Sequence, residues 1–545
     1  MSLVQKREGM LFAILGATVL APAFAVDLTE VPDPNPKLTG VSAPIVLSPE
    51  LRQTAVAEGS VRLENPETGY EFYGFSSDGP HVPLPGALPG ASGPIEGTKT
   101  EPDKNTYLVL HNAQGADAGY DYGSHFLFQG HENAAGGNGY ITRINLDADG
   151  AHRVTLLAHA DSKGTPLPLF DGSTWDPFAR RLLFTAEGNG TTTGGVWQAT
   201  LDVPSKSDDL LGVIGRGGFE GVQVDPAGNV WLVEDIGGPT IAGARVANSF
   251  IYRFVPKNRS NLANGGKLQA LQVMKLDHSG PIVFNGANAL TQELKDLHTY
   301  GNVFDTAWVT VHDTDVDGTA VFNANDLAKA KNATPFKRPE NGVFRPGSQF
   351  REFVFAETGD TSATTTAGSD FGGFGGLIKL AQAHPSANTG KLTLVFKGNL
   401  EHTSFDNISF WDANHALVVE DRGDGLHSAA NALDSGWLVD VRKNFANPAN
   451  QPVRVIAGGR DGLATLDSQF LGMPGFQNDG DNELTGIHVS DGDPGFTGLL
   501  GWKIPEPFEN GWRVFYTQQH GINATYEILR ARDKDGHDDD DHGHH

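Results

Sequence analysis

Short apolar runs recur along this chain with the same punctuation around each. An acidic and a small residue precede a brief apolar run, a turn carrying Asp or Gly follows, and a second apolar run closes on an acid and glycines. The fullest instance reads Phe219-Glu220-Gly221-Val222, turns through Asp225-Pro226-Ala227-Gly228-Asn229, and returns as Val230-Trp231-Leu232-Val233-Glu234-Asp235. A second goes from Phe405-Asp406-Asn407-Ile408 through Asp412 to Val418-Val419-Glu420-Asp421, and a third from Pro339-Glu340-Asn341 to Phe355-Ala356-Glu357. Weaker copies are Ser173 to Gly188, ending in Ala186-Glu187, and His125 to Asn133, ending in His131-Glu132-Asn133. The last pairs Glu483-Leu484-Thr485-Gly486 with Trp512 to Gly521, closing on Gln518-Gln519-His520.

Runs this short, rich in Val, Ile, Phe and Trp and bounded by turn residues, predict strands. Six such units in series predict a β-propeller, and the fold class expected is all-β: six blades, with insertions and an N-terminal extended arm. The long gap between Glu234 and Glu357 calls for an insertion, partly helical around Leu327-Ala328-Lys329-Ala330-Lys331, and a divergent seventh blade inside it is the alternative. Residues 26–104, rich in Pro and Gly, read as an arm on the body, residues 105–531 as the propeller, and 532–545 as a disordered Asp/His-rich tail. Residues 1–25 read as an export signal: Lys6 and Arg7, an apolar run from Met10 to Leu20, and Ala23-Phe24-Ala25 before the cut. The expected location is periplasmic or secreted, with no membrane span, since the run is too short to cross a bilayer.

Composition changes the picture in two ways. The 545 residues hold 66 acidic against 40 basic side chains, a net charge of −26, which excludes nucleic acid as a partner and favours cations. There is no Cys, so disulfides, Fe–S clusters and thiolate nucleophiles are excluded. A monomer is expected.

Equivalent strand ends of a propeller face one another across its central channel. The second strands end at Glu132, Glu187, Glu234, Glu357 and Glu420, and the first strands begin at Glu220, Glu340, Asp406 and Glu483. So many carboxylates at one mouth repel unless something compensates. Such an oxygen-rich set suits calcium, with His131 and His520 as nitrogen donors for a transition metal. The turn residues Asp225, Gly228 and Asp412 are given no chemistry. Asp313-Thr314-Asp315-Val316-Asp317-Gly318 begins like an EF-hand loop but has Ala324 at the twelfth position, which leaves it between a loose calcium loop and an acidic turn. No Gly-x-Ser-x-Gly elbow is present.

In their order along residues 105–531, His131-Glu132-Asn133, Thr185-Ala186-Glu187, Phe219-Glu220-Gly221 with Glu234-Asp235, Arg338-Pro339-Glu340, Asp406-Asn407-Ile408 with Glu420-Asp421, Glu483-Leu484-Thr485-Gly486 and Gln519-His520-Gly521 resemble the PhoX-type alkaline phosphatase family. The resemblance implies an exported propeller that cleaves phosphate monoesters, small molecules, at calcium and iron ions in its central mouth. It implies Glu132, Glu187, Glu220, Glu340, Glu357 and Glu483 as ligands, with Glu187, Arg338 and His520 as catalytic residues and Arg338 or Arg253 neutralising phosphate. The chain departs from the family where Ala186 replaces a cysteine iron ligand, and where the signal lacks a twin arginine. Both departures point away from a di-iron centre and toward calcium, or another metal held by Glu and His. A calcium-dependent hydrolase of another ester, such as a lactonase, and a non-catalytic calcium-stiffened propeller are the alternative readings.

Overall fold

The computed structural model describes residues 28–37, 43–75, 99–132, 138–187, 192–459, 483–519 and 523–531. The export signal and the Asp/His tail lie outside them. Within them the regular structure is mostly strand, and no helix is long and apolar enough to cross a membrane.

Most strands fall into antiparallel units of four, largely meanders in which a strand bonds to its neighbour in sequence. Their first strands are Pro102–Val109, Ser173–Asp176, Phe219–Val224, Pro339–Phe344, Phe405–Phe410 and Glu483–Ser490. These inner strands touch in cyclic order, the sixth meeting the first, and so close a ring around a channel. Among the described residues this is a six-unit β-propeller. Val230–Glu234 and Glu352–Glu357, the second strands of the third and fourth units, are almost wholly buried, as expected of strands sandwiched between neighbouring blades. Trp231, for example, packs edge-on against Trp308 and Phe344.

The turns behave as their residues dictate. Asp225 Oδ1 accepts from the amides of Ala227 and Asn229 at 2.8 and 3.0 Å, and Gly228 takes the positive φ of 84° that the hairpin needs. Asp412 Oδ1 accepts in the same way from Asn414 and His415.

The segment expected as an arm does more than wrap the body. Leu51–Ala57 pairs with Ala524–Arg530 as the outer strand of the sixth unit, so one blade is built from both ends of the chain. Val46–Leu47 adds a fifth strand to the fifth unit. The long insertion contains helices Gln292–Leu297 and Ala324–Ala330, capped by Thr291 and Asn323 side chains. Its strand Phe304–Asp313 pairs with outer strands of both the third and fourth units, merging them into one nine-stranded sheet. It bridges two blades and forms no seventh.

One local feature sets up the site. In five units the inner strand shifts register near its start: between Pro102 and Asn105, Phe219 and Val222, Pro339 and Gly342, Phe405 and Ile408, and Thr485 and His488. A bulge places an extra residue on one strand and re-aims its side chain. In four of these bulges the first extra residue is an acid: Asp103, Glu220, Glu340 and Asp406.

Candidate metal centre

The bulge acids converge. Ligand oxygens of Asp103, Asp171 and Glu220 lie within 4.8 Å of one another, as do those of Glu220, Glu340 and Asp406, and those of Glu187, Asp235 and Glu340. Glu220 and Glu340 are shared, so the three groups form one chain of carboxylates across the channel mouth. All are buried except Glu187, which is half-buried.

Bulge geometry also explains the small residues beside the acids. A side chain at Gly221 would put its Cβ 2.9 Å from the Asn341 Cα, so the third and fourth inner strands meet closely only because glycine stands there. Behind the acids, Thr485 Oγ1 donates to Asp103 Oδ1 and Asn407 Nδ2 donates to Asp406 Oδ1 at 2.8 Å. The second oxygen of Asp406 is buried with no hydrogen-bond partner. Glu187 joins the site through its own amide, which donates to Asp171 Oδ2 at 3.0 Å.

Burial pushes the pKa of Asp171, Glu187, Glu220, Glu340 and Asp406 well above the ordinary carboxylate range, and each is raised further by its acidic neighbours. Asp103 is raised by the same burial. Without a cation the cluster therefore resists ionising. Two side-chain cations approach it. Arg338 forks onto Asp235, with Nε 2.9 Å from Oδ1, and stands 3.7 Å from Glu340. Burial works against its charge, but Asp235 and Glu340 outweigh that and raise its pKa. Lys104 donates to Asn341 Oδ1 at 2.9 Å; burial lowers its pKa to about 8 against the pull of Asp103, Asp406 and Glu220.

Not every expected site residue is brought here. Glu187, Glu220, Glu340 and Asp406 are in the groups. Glu132 stands beside them, its Oε1 accepting from Gln519 at 2.6 Å while Asp171 and Asp103 raise its pKa beyond the effect of burial. Glu483 lies nearby, facing Asp421, Asp406 and Asp103.

Glu234, Glu357 and Glu420 are a correction: the structure spends them on the scaffold. Glu234 Oε2 accepts from the Phe250 amide, the Tyr252 hydroxyl and Asn325 Nδ2. Glu357 accepts from the Lys337 amide at 2.9 Å and pairs with His298 Nε2 at 2.8 Å. Glu420 accepts from the amides of Thr403 and Ser435 and from the Arg422 guanidinium. The reason is strand alternation: the next residue along, Asp235, reaches the mouth in place of Glu234.

Of the two histidines expected as nitrogen donors, the described residues include His131 alone. His131 stacks on Tyr140 inside the first unit, with its ring nitrogens bonded to Thr100 and Thr142, and burial depresses its pKa far below that of a free histidine. His520 lies outside the described residues. The Arg253 guanidinium donates to Gln269 Oε1 and to the carbonyls of Pro385 and Ala387. The Asp313 loop is tied up by lysines, Lys267 on Asp313 at 3.1 Å and Lys257 on Asp315 at 2.6 Å.

Asp103, Asp171 and Asp235 escape a sequence reading for simple reasons. Asp103 precedes the boundary drawn at residue 104, although Asp103-Lys104-Asn105 has the acid-x-x form of Asp406-Asn407-Ile408. Asp171 lies two residues before the repeat copy that begins at Ser173. Asp235 adjoins an acid that looks equally suitable.

The donors at the mouth are carboxylate oxygens, with neither sulfur nor imidazole in the described groups, and this set fits a hard cation such as calcium. Ala186, where the resemblance leads one to expect a cysteine, is fully buried in the apolar core between the first and second units.

Fold and site together define a propeller whose mouth gathers groups of carboxylates that could hold cations. Residues 212–457 match the family model described as "Alkaline phosphatase PhoX", which bears out the resemblance read from the sequence. Among solved structures, the chain is similar to Pseudomonas fluorescens PhoX in complex with vanadate, a transition state analogue. The two share 11% identity with a TM-score of 0.54, covering 92% of this chain and 98% of that one. The extracellular domain of a hybrid two component system from B. thetaiotaomicron aligns at 11% identity with a TM-score of 0.31, over 80% of this chain and 41% of that one. No curated protein matches in sequence.

Proposed function

We propose that this chain is an exported, calcium-dependent phosphatase acting on small phosphate monoesters. The observation that carries the reading is the linked set of carboxylates, three groups sharing Glu220 and Glu340, in a chain that matches the PhoX family model. Calcium held there would supply positive charge to bind and polarise phosphate. The chain's own residues do the positioning. Glu220 and Glu340 each belong to two groups and tie them together, so they would be shared between the cations that those groups could hold. Arg338 orients Asp235 through its fork, which makes it a positioning residue more than a phosphate clamp. Glu187, the half-buried member, lies where the cluster meets solvent and is the best placed to meet a substrate.

The donor set supports calcium over iron, because Ala186 offers no ligand and His131 is withdrawn into its blade. The test is turnover of a simple aryl phosphate by the full chain, with calcium and with chelator, and with vanadate as a competitor. Turnover that needs calcium and is blocked by vanadate is expected. Turnover of lactones or carboxylic esters, indifferent to vanadate, would replace this reading with the other hydrolase. Retained calcium with no turnover of any ester would leave a binding propeller.

A further inference from the structure

The ring closes between the sixth and first units, and a recess of about 360 Å³ opens along that seam, a volume in the range of small-molecule sites. It lies well away from the mouth. Asp103 and Val109 belong to one inner strand, and Val109 lines the recess about 20 Å further along. In a chain of net charge −26, its wall holds three arginines, Arg52, Arg513 and Arg530, against one acid, Glu527. Strand register brings two of them together. Arg52 stands opposite Leu529 and Val514 opposite Ile528, so Arg513, Leu529 and Arg52 follow one another across three strands on one face of the sixth blade. Arg513 forks onto Glu527 through Nε and Nη2, both at 2.6 Å, leaving Nη1 outside the fork. Its guanidinium lies over the rings of Tyr107 and Phe515, 5.5 and 5.4 Å from their centroids, which fixes its plane. With Glu527 so engaged, Arg52 has no ion-pair partner among the described residues. Arg530 has a loose contact with Glu509 at 3.4 Å, both side chains more than half exposed, and such a pair contributes little. His125 in the same wall is held by Asp147 at 2.9 Å. Trp512 and Phe508 supply apolar surface beside the arginines.

We propose that this recess is a second ligand site, for a small aromatic oxyanion. Its phosphate or carboxylate group would lie between Arg52, Arg530 and the Nη1 edge of Arg513, with its ring against Trp512 and Phe508. Guanidinium N–H groups suit such a head because they meet two oxygens at once, and a fixed guanidinium loses little freedom on binding. The site stands apart from the metal reading of the mouth and shares no residue with it. The competing role is a solvated charged rim, in which the arginines keep the seam soluble and bind nothing.

The probe is phenylphosphonate, which carries a phosphate-like head on a ring and has no ester to cleave. It is titrated calorimetrically into the full chain at low salt and in chelator, so that no calcium at the mouth holds it. One equivalent is expected to bind, more weakly as salt is added. Arg52→Gln combined with Arg530→Gln is expected to lower the affinity at least about tenfold. Arg52→Gln alone, which breaks no ion pair, is expected to lower it at least about threefold, and this variant decides the matter should the double one fold poorly. Benzoate in the same titration separates the head groups: binding tighter than phenylphosphonate assigns a carboxylate ligand, and weaker binding a phosphate. No binding of either probe, or an affinity that Arg52→Gln leaves unchanged, overturns the proposal. So does binding that appears only when calcium is added, which locates the probe at the mouth.

Discussion

Two sets of acids recur at the same end of the same propeller, and they do opposite things. Asp103, Glu220, Glu340 and Asp406 sit in bulges of inner strands and crowd one another at the channel mouth. Glu234, Glu357 and Glu420 end the adjacent second strands, a few ångströms away in register, and each is occupied by backbone amides and side-chain donors. Two of them pin the insertion: Asn325 from its second helix bonds Glu234, and His298 at the end of its first bonds Glu357. Recurrence at equivalent blade positions therefore identifies a shared structural role as readily as a shared ligand role. What separates them is the company each carboxylate keeps: the second-strand glutamates sit among donors from the chain, though Oε1 of Glu234 has none, and the bulge acids sit among other acids, an arrangement that a cation would offset.

That contrast can be broken by mutation. Glu420→Ala has the largest expected effect, since it leaves the Arg422 guanidinium buried at 1% exposure without its carboxylate. A loss of about 3–5 kcal/mol is expected in denaturant unfolding, with calcium stoichiometry unchanged in whatever fraction folds. Loss of calcium in proportion to folded protein would move Glu420 into the ligand set.

Glu220→Gln should do the reverse. It removes an oxygen shared by two groups, so calcium affinity is expected to fall by at least about tenfold, measured by calorimetric titration. The metal-free form should change little in stability near pH 5, because burial and acidic neighbours already hold the Glu220 carboxyl toward its neutral form there. Unchanged affinity would mean that the linked groups do not act as a unit.

The pH dependence follows from the raised carboxylates. In the folded, metal-free state these acids hold protons that the unfolded chain releases near its ordinary carboxylate pKa, so the folded state binds more protons above that point. Stability should then fall as pH rises from about 4.5 toward the raised folded values. Calcium displaces those protons and should flatten or reverse the slope. Melting curves from pH 5 to 8, with chelator and with calcium, check this; parallel curves would contradict it.

The smallest effect belongs to Glu234→Gln. Burial raises the Glu234 pKa to about 8, so at neutral pH its carboxyl is largely protonated already, and an amide oxygen can accept from the same Phe250, Tyr252 and Asn325 donors. A stability change within about 1 kcal/mol is expected, with no change in calcium binding. A clear loss of calcium would contradict the scaffold assignment.

The ring was legible in the sequence because propeller strands are buried on both faces and need turn residues between them. The run from Phe219 to Asp235 shows strand, Asx turn and strand in order. The mouth was legible only in part. Glu220, Glu340 and Asp406 stand at strand starts beside a small or amide residue, but the bulge that aims them has no sequence mark beyond that neighbour. In Glu234-Asp235 two adjacent acids point to opposite sides of one chain, and only the pairing register decides which faces the channel. Asp171 and Asp103 lie just before the apolar runs that flag a strand, so a reading keyed to hydrophobicity starts after them. The closure by Leu51–Ala57 was hidden because a strand on a blade's outer edge needs little apolar pattern: Arg52, Thr54 and Ala55 are exposed.

The central claim is that the bulge acids hold metal, and elemental analysis tests it most directly. Mature protein, purified without chelator and truncated after Ala531 to remove the Asp/His tail, should carry calcium in whole-number stoichiometry, and Glu220→Gln should carry less. Protein that retains no divalent metal, or a variant that retains as much as the wild type, would contradict the account.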